Sequence, residues 1–100
     1  MKKHKLVLLP KAAKVLKTLG ENIRMARVRR RITAEMMCER AGVGHSTLTA
    51  IEQGKPSVSM GAYLSVLFCL DLHGDLEKVA LDDALGRELQ DLGLPKRVRA

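Results

Sequence analysis

The chain is 100 residues long, the size of one small domain, which excludes a two-domain enzyme. Its 18 lysines and arginines outnumber its 11 acidic residues, and eleven of the basic residues lie with a single acid in residues 1–31. Aromatic residues make up only 2% of the chain, which favours packed helices over a β-sandwich and argues against binding of single strands by base stacking. A basic excess concentrated in one third of the chain predicts a polyanionic partner, nucleic acid before a membrane surface.

Targeting and redox features predict a cytoplasmic protein. No apolar run approaches the roughly 18 residues that span a bilayer. Pro10 and Lys11 end the apolar run over residues 6–9 too early for a signal peptide. Cys38 and Cys69 stand alone, with no second ligand at metal-binding spacing, so buried reduced thiols are expected, and neither a metal nor a cofactor is predicted.

The amino-terminal third is predicted to be an apolar arm followed by a long basic helix. Residues 6–9 suit either an edge strand or a docking arm, because four apolar residues have no decisive period. From Lys11 the apolar residues recur at helical spacing, so a helix is expected to reach about Arg30, either unbroken or broken near Gly20.

The following helices are predicted from the residues at their ends. Thr33 is placed to cap a helix over 34–41, and Gly42 follows as a turn residue. A third helix over 45–53 ends at Gly54, and Ser59 is placed to cap a fourth over 60–70, with Met60 among its core residues. Two short helices over 75–80 and 83–92 and a basic tail complete the chain.

Residues 32–54 are predicted to form a helix-turn-helix, because two helices of eight or nine residues flank a turn of about three residues led by Gly42. Small residues at Cys38 and Ala41 permit a close crossing of the two helices. Apolar residues stand where the pair must lock together: Met37, Val43, Leu48 and Ile51. The third helix begins with slim, polar side chains that suit entry into a major groove.

This ordered run resembles the Xre or Cro/C1-type family of phage repressor-like helix-turn-helix proteins. The matching stretches are residues 19–27, 33–43, 46–54 and 59–70. The resemblance implies an all-α, lambda-repressor-like five-helix domain over 19–80, with a basic arm over 1–18 and an extra helix and tail over 81–100. One departure is Ala34, where the family usually has a glutamine that touches the DNA backbone.

The resemblance also implies roles for individual residues. The positions that face base edges are His45, Ser46, Thr49 and Ala50. The positions that contact the DNA backbone are Thr33, Thr47 and Lys55, to which Arg30 and Arg31 are added because they lie beside the loop. Arg27 and Glu52 match a structural ion pair between the first helix and the end of the third.

The leading hypothesis is therefore a sequence-specific repressor of double-stranded DNA that acts as a homodimer on an inverted repeat. Residues 83–99 resemble the carboxyl terminus of HipB-like antitoxins. That resemblance implies autoregulation and docking of a HipA-type kinase toxin, with residues 83–100 or 6–9 as contact or dimer segments. The alternatives are a stand-alone Xre-family regulator and an interaction module that has lost DNA binding. An enzyme is not predicted, because no phosphate loop, metal-ligand cluster or nucleophile motif occurs.

Overall fold

The computed structural model describes residues 6–93, and this part of the chain is all-helical. Its elements are α1 (Pro10–Arg29), α2 (Ala34–Ala41), α3 (His45–Glu52), α4 (Met60–Cys69), a 3-10 helix (His73–Lys78) and α5 (Ala84–Asp91). The predicted all-α fold with a helix-turn-helix is confirmed. In place of the helix expected over 75–80, the chain forms the 3-10 helix His73–Lys78. The basic tip over 1–5 and the tail over 94–100 lie outside the described residues.

The amino-terminal helix, α1, is longer than its neighbours. It begins at Pro10, within the residues 1–18 that were expected to form a basic arm. Pro10 occupies the first turn of α1, where its missing N–H leaves no donor unpaired. The helix then continues unbroken through Gly20 to Arg29. Residues 6–9 are not a strand but an extended arm, in which Leu8 is half-buried.

The helix ends follow the capping chemistry expected from the sequence. The hydroxyls of Thr33 and Ser59 accept hydrogen bonds at 3.1 Å from the amides of Met36 and Ala62 respectively. Gly42 ends α2 with a φ of +69°, a left-handed conformation that glycine adopts without steric cost. These residues fix where α2 begins and ends and where α4 begins.

The core is built almost entirely from aliphatic side chains on α1 to α4. Its fully buried members are Ile23, Met37, Leu48, Ile51, Val66 and Leu70. The sequence predicts an apolar line through residues 60, 63, 64, 67 and 70 of this segment, whereas the buried residues are 63, 66, 67 and 70, so the buried stripe is rotated toward Val66. The prediction that Met60 is a core residue is therefore wrong. Met60 is 76% exposed at the beginning of α4.

Two side-chain hydrogen bonds join α4 to the helix-turn-helix. Ser65 Oγ donates to the Ala41 carbonyl oxygen at 2.7 Å, which ties α4 to the end of α2. Tyr63 Oη donates to the Lys55 carbonyl oxygen at 2.9 Å, which ties α4 to the loop after α3. Each bond satisfies a carbonyl at or just beyond a helix end, where no intrahelical donor is available.

The contact between α1 and the end of α3 is made backbone to backbone. A Cβ atom at Gly20 would lie 2.6 Å from the Ile51 carbonyl oxygen and 2.7 Å from that of Glu52. A Cβ at Gly54 would collide with the Leu16 carbonyl, and Gly54 also has a φ of +70°. Glycine is therefore required on both sides of this crossing, which holds α3 against α1.

The last helix lies away from this core. None of the residues of α5 is buried, and its apolar side chains follow one another at helical spacing. Leu85, Leu89 and Leu92 are 63%, 42% and 77% exposed. Within the described chain, α5 thus leaves its apolar face without a covering element.

Candidate nucleic-acid interface

The helix α3 separates cleanly into an inward and an outward face. Leu48 and Ile51 point inward and are 2% and 0% exposed. His45, Ser46 and Thr49 are exposed on the other side, while Thr47 and Ala50 are half-buried. The four residues predicted to face base edges thus lie together on the outward side of α3, because residues 45, 46, 49 and 50 share one face of a helix.

The turn between α2 and α3 sets the orientation of that face. The amides of Gly42 and Val43 both donate to the Cys38 carbonyl oxygen, at 2.9 Å and 3.1 Å. Val43 then packs against the core, and Gly44 provides the extended residue that precedes α3. A tight turn with both amides satisfied leaves α3 little freedom to swing relative to α2.

A bidentate ion pair anchors the far end of α3. Arg27 Nε lies 2.7 Å from Glu52 Oε2 and Arg27 Nη2 lies 3.1 Å from Oε1, with side chains only 12% and 11% exposed. Arg27 Nη1 also donates to the Ile32 carbonyl oxygen at 2.9 Å, so one guanidinium joins α1, the following loop and α3. The hydrogen bond to Glu52 raises the pKa of Arg27, although burial opposes this shift.

This ion pair also sets the electrostatics of α3. Glu52 is the only charged residue of that helix, and Arg27 neutralises it locally. An unpaired carboxylate here would repel the phosphates of a nucleic acid lying along the helix. The outward face therefore offers hydroxyl, imidazole and methyl groups without a net charge.

Of the five residues predicted to contact a DNA backbone, Thr47 lies in α3 itself and is half-buried, and the other four come before or after that helix in the chain. Arg30 and Arg31 are exposed at the end of α1; Arg30 Nη1 donates to the Ala26 carbonyl oxygen at 2.9 Å, and Arg31 has a φ of +55°. Thr33 accepts a bond through its oxygen and keeps its own O–H available. Lys55 is exposed directly after Gly54.

The structure adds polar residues that the sequence analysis did not select. Ser57 and Ser59 share a cleft of about 430 Å³ with Ser46, Thr47 and Ala50. The signal available in the sequence was a serine-rich loop directly after the third helix. Its relation to Ser46 depends on how α3 and α4 pack.

Gln53 is a further polar residue beside the predicted set. It is exposed and caps α3 in a helical conformation, seven residues after Ser46 and four after Thr49. This spacing, visible in the sequence, continues the outward face by one more turn.

Residues 6–93 offer neither a metal-ligand cluster nor a membrane-spanning helix. No group of three or more histidine, cysteine or acidic residues in that range could hold a metal ion. Cys38 is buried and Cys69 half-buried, and both are free thiols. No helix in the described part of the chain is long and apolar enough to cross a membrane.

A capped helix pair joined by a left-handed glycine turn, with the second helix exposing a slim polar face, defines a helix-turn-helix protein. The chain belongs to the helix-turn-helix domain family. The model of that family matches residues 18–78, which is more than half of the chain. A comparison with curated proteins found no match. Helix-turn-helix domains are typical of DNA-binding regulators.

Proposed function

We propose that this chain is a sequence-specific transcriptional repressor that inserts α3 into the major groove of double-stranded DNA. The observation that carries the proposal is the outward face of α3, where His45, Ser46, Thr49 and Ala50 are slim and uncharged. Hydroxyl and imidazole groups can exchange hydrogen bonds with base edges, and the Ala50 methyl suits the methyl group of thymine. The pairing of Glu52 with Arg27 supports this reading, because it removes the one negative charge from that helix.

Affinity and sequence choice are divided between different residues in this proposal. Eleven basic residues in residues 1–31 supply attraction to phosphates, and Arg30, Arg31 and Lys55 are the basic residues proposed to contact the DNA backbone directly. Phosphate contacts position a protein on DNA, and base contacts decide the sequence. The hydroxyls of Thr33 and Thr47 complete the proposed backbone contacts.

The repressor acts as a homodimer on an inverted repeat. One α3 reads too few base pairs for specificity, and two copies place their reading helices about 34 Å apart, one turn of DNA. The exposed apolar row Leu85, Leu89 and Leu92 supports this assembly, because monomers seldom leave such a row uncovered. A second copy of α5 is the proposed cover.

The finer proposal is that the chain is the antitoxin of a HipA-type kinase toxin and represses its own operon. Its support is the resemblance of residues 83–99 to HipB-like antitoxins, together with the exposure of α5. Co-expression with a HipA-type kinase encoded beside this chain tests it. A stable complex and relief of toxicity are expected, whereas a stand-alone regulator would form no complex.

The DNA-binding proposal is tested by selecting a duplex from a random pool and measuring its Kd across a salt series. The Kd should rise steeply with salt, because several phosphates lose their counterions on binding. His45→Ala and Ser46→Ala should lose preference for the selected duplex while the fold survives. Thr18→Ala, which removes an exposed hydroxyl from α1, is the matched control and should retain it. No duplex bound below the micromolar range, or only weak binding that does not change with salt, would instead favour an interaction module that has lost DNA binding.

A further inference from the structure

A partly open apolar cavity of about 220 Å³ lies beside the helix-turn-helix, between the arm, α1 and α4. Its walls include Leu6 and Leu8 of the arm, Leu16 and Leu19 of α1, and Val58 and Leu67 from the loop before α4 and α4 itself. The proposed reading of DNA does not use this cavity.

The chemistry of the lining is uniform. None of the described residues that line the cavity is charged, and among them the only polar side-chain group is the hydroxyl of Tyr63. That hydroxyl already donates to the Lys55 carbonyl oxygen at 2.9 Å. An ordered water needs two to four polar partners, so water in this partly open cavity is weakly held, and an apolar molecule that displaces it breaks few hydrogen bonds.

We propose that the cavity is a binding site for a small apolar molecule, of the size of an alkyl-substituted benzene or a short alkyl chain. A lined apolar cavity of about 150 Å³ is sufficient for benzene, and the cavity here is larger, at about 220 Å³. A protein partner fits less well, because a stable interface covers about 800 Å² per partner. The volume here accommodates only one or two side chains.

The cavity is joined to the end of α3 by a short structural path. Pro56 and Val58 form its wall on the loop between α3 and α4, and Tyr63 lies in the lining with its hydroxyl on the Lys55 carbonyl. The amide of Lys55 in turn donates to the Ala50 carbonyl oxygen at 2.9 Å. A molecule that moves this wall therefore moves Lys55 relative to α3.

This path gives the site a regulatory role, which rests on the proposed DNA binding. Lys55 is a proposed phosphate contact, so occupation of the cavity changes the affinity for the duplex. By linkage, the duplex changes the affinity for the apolar molecule by the same factor. The site is thus an effector site of the repressor.

Toluene is the aromatic probe, 1-hexanol the aliphatic probe, and resorcinol a polar probe of similar size. Toluene and 1-hexanol should shift the NMR signals of the lining methyl groups, show intermolecular NOEs to them, and raise the midpoint of thermal unfolding. Resorcinol should produce none of these three effects. Absence of toluene NOEs to the lining of the wild-type chain would overturn the site, and this measurement needs no variant.

Variants that fill the cavity test whether toluene binds inside it. Val58→Phe fills the cavity and should abolish the toluene signals. Leu64→Phe makes a similar enlargement on the exposed side of α4, where Leu64 is 41% exposed, and should retain them. Leu8→Phe fills the same space from the arm, outside any helix, and serves where Val58→Phe does not fold. Toluene binding that persists in a folded filling variant overturns the assignment.

The regulatory role is tested by measuring the Kd for the selected duplex with and without saturating toluene. A change of about fivefold or more is expected, absent in Val58→Phe, with a reciprocal change in toluene affinity. An unchanged Kd with toluene bound overturns the regulatory role. Failure to bind any duplex refutes the proposed function instead, and the toluene signals then still decide whether the cavity binds apolar molecules.

Discussion

The crossing of α1 and α3 makes a sharp prediction for Gly20→Ala. In an exposed helix interior this change stabilises a protein by about 1 kcal/mol, because alanine loses less backbone freedom than glycine. At Gly20 the added Cβ would lie 2.6 Å from the Ile51 carbonyl oxygen and 2.7 Å from the Gly54 amide nitrogen. Both are backbone atoms, which cannot rotate away as the end of a flexible side chain can.

The magnitude follows from these two opposing effects. Overpacking of this kind costs about 3 kcal/mol when backbone must shift. The gain in helix propensity offsets about 1 kcal/mol of it, so the free energy of unfolding should fall by about 2 kcal/mol. For a domain of this size, that loss lowers the midpoint of thermal unfolding by about 8–16 °C.

Gly61→Ala is the matched control within the same chain. Gly61 lies in α4, and a Cβ there would meet only the Ser59 hydroxyl, at 3.9 Å. This variant should unfold at or above the wild-type midpoint temperature. Its free energy of unfolding should equal or exceed the wild-type value by up to about 1 kcal/mol. Urea and thermal unfolding followed by circular dichroism measure both variants. Equal or greater stability of Gly20→Ala would refute the backbone contact between α1 and α3.

Three further predictions concern the ion pair, the tyrosine and the last helix. Arg27→Met should lower the free energy of unfolding, measured in urea, by about 3 kcal/mol, because the Glu52 carboxylate is left nearly buried without a partner. Adding Glu52→Gln to Arg27→Met should restore part of the lost free energy. No restoration would refute the unpaired carboxylate as the cause. Burial raises the pKa of Tyr63 above its ordinary value of 10.0. The contribution of the neutral phenol to the free energy of unfolding is therefore fully present below about pH 10 and is lost as the pH rises through the folded-state pKa. Tyr63→Phe should remove this alkaline decline, and the absorbance of the single tyrosine reports the pKa directly; an unshifted titration would contradict the burial argument. Leu85→Glu with Leu89→Glu should convert dimers to monomers in light scattering without lowering helical content, and an unchanged mass would exclude α5 from the interface.

The helices were predictable because their ends depend on local chemistry. Thr33, Gly42 and Ser59 act within three residues of their own position, and the structure places all three as caps or turn residues at those helix ends. The third helix was similarly predictable, since Leu48 and Ile51 have helical spacing and are both buried. Short-range rules suffice wherever the deciding partner is close in the chain.

The remainder depends on partners far away in the chain. Gly20 weakens a helix by propensity, and only the approach of residues 51–54 explains why it stands there. The exposure of Met60 follows from how α4 is rotated against α2, which its nearly continuous apolar sequence does not determine. The cleft that brings Ser57 beside Ser46 likewise arises from the packing of two helices.

The separation of the two faces of α3 has a consequence for how this chain can evolve. The inward residues and the glycines that flank the helix fix its position, whereas the side chains of His45, Ser46 and Thr49 make no hydrogen bond to another described residue that the fold depends on. Substitutions at these outward positions are therefore nearly neutral for folding. Under the proposed reading of DNA by α3, mutation can change the preferred DNA sequence one residue at a time, without first acquiring a compensating change in the core.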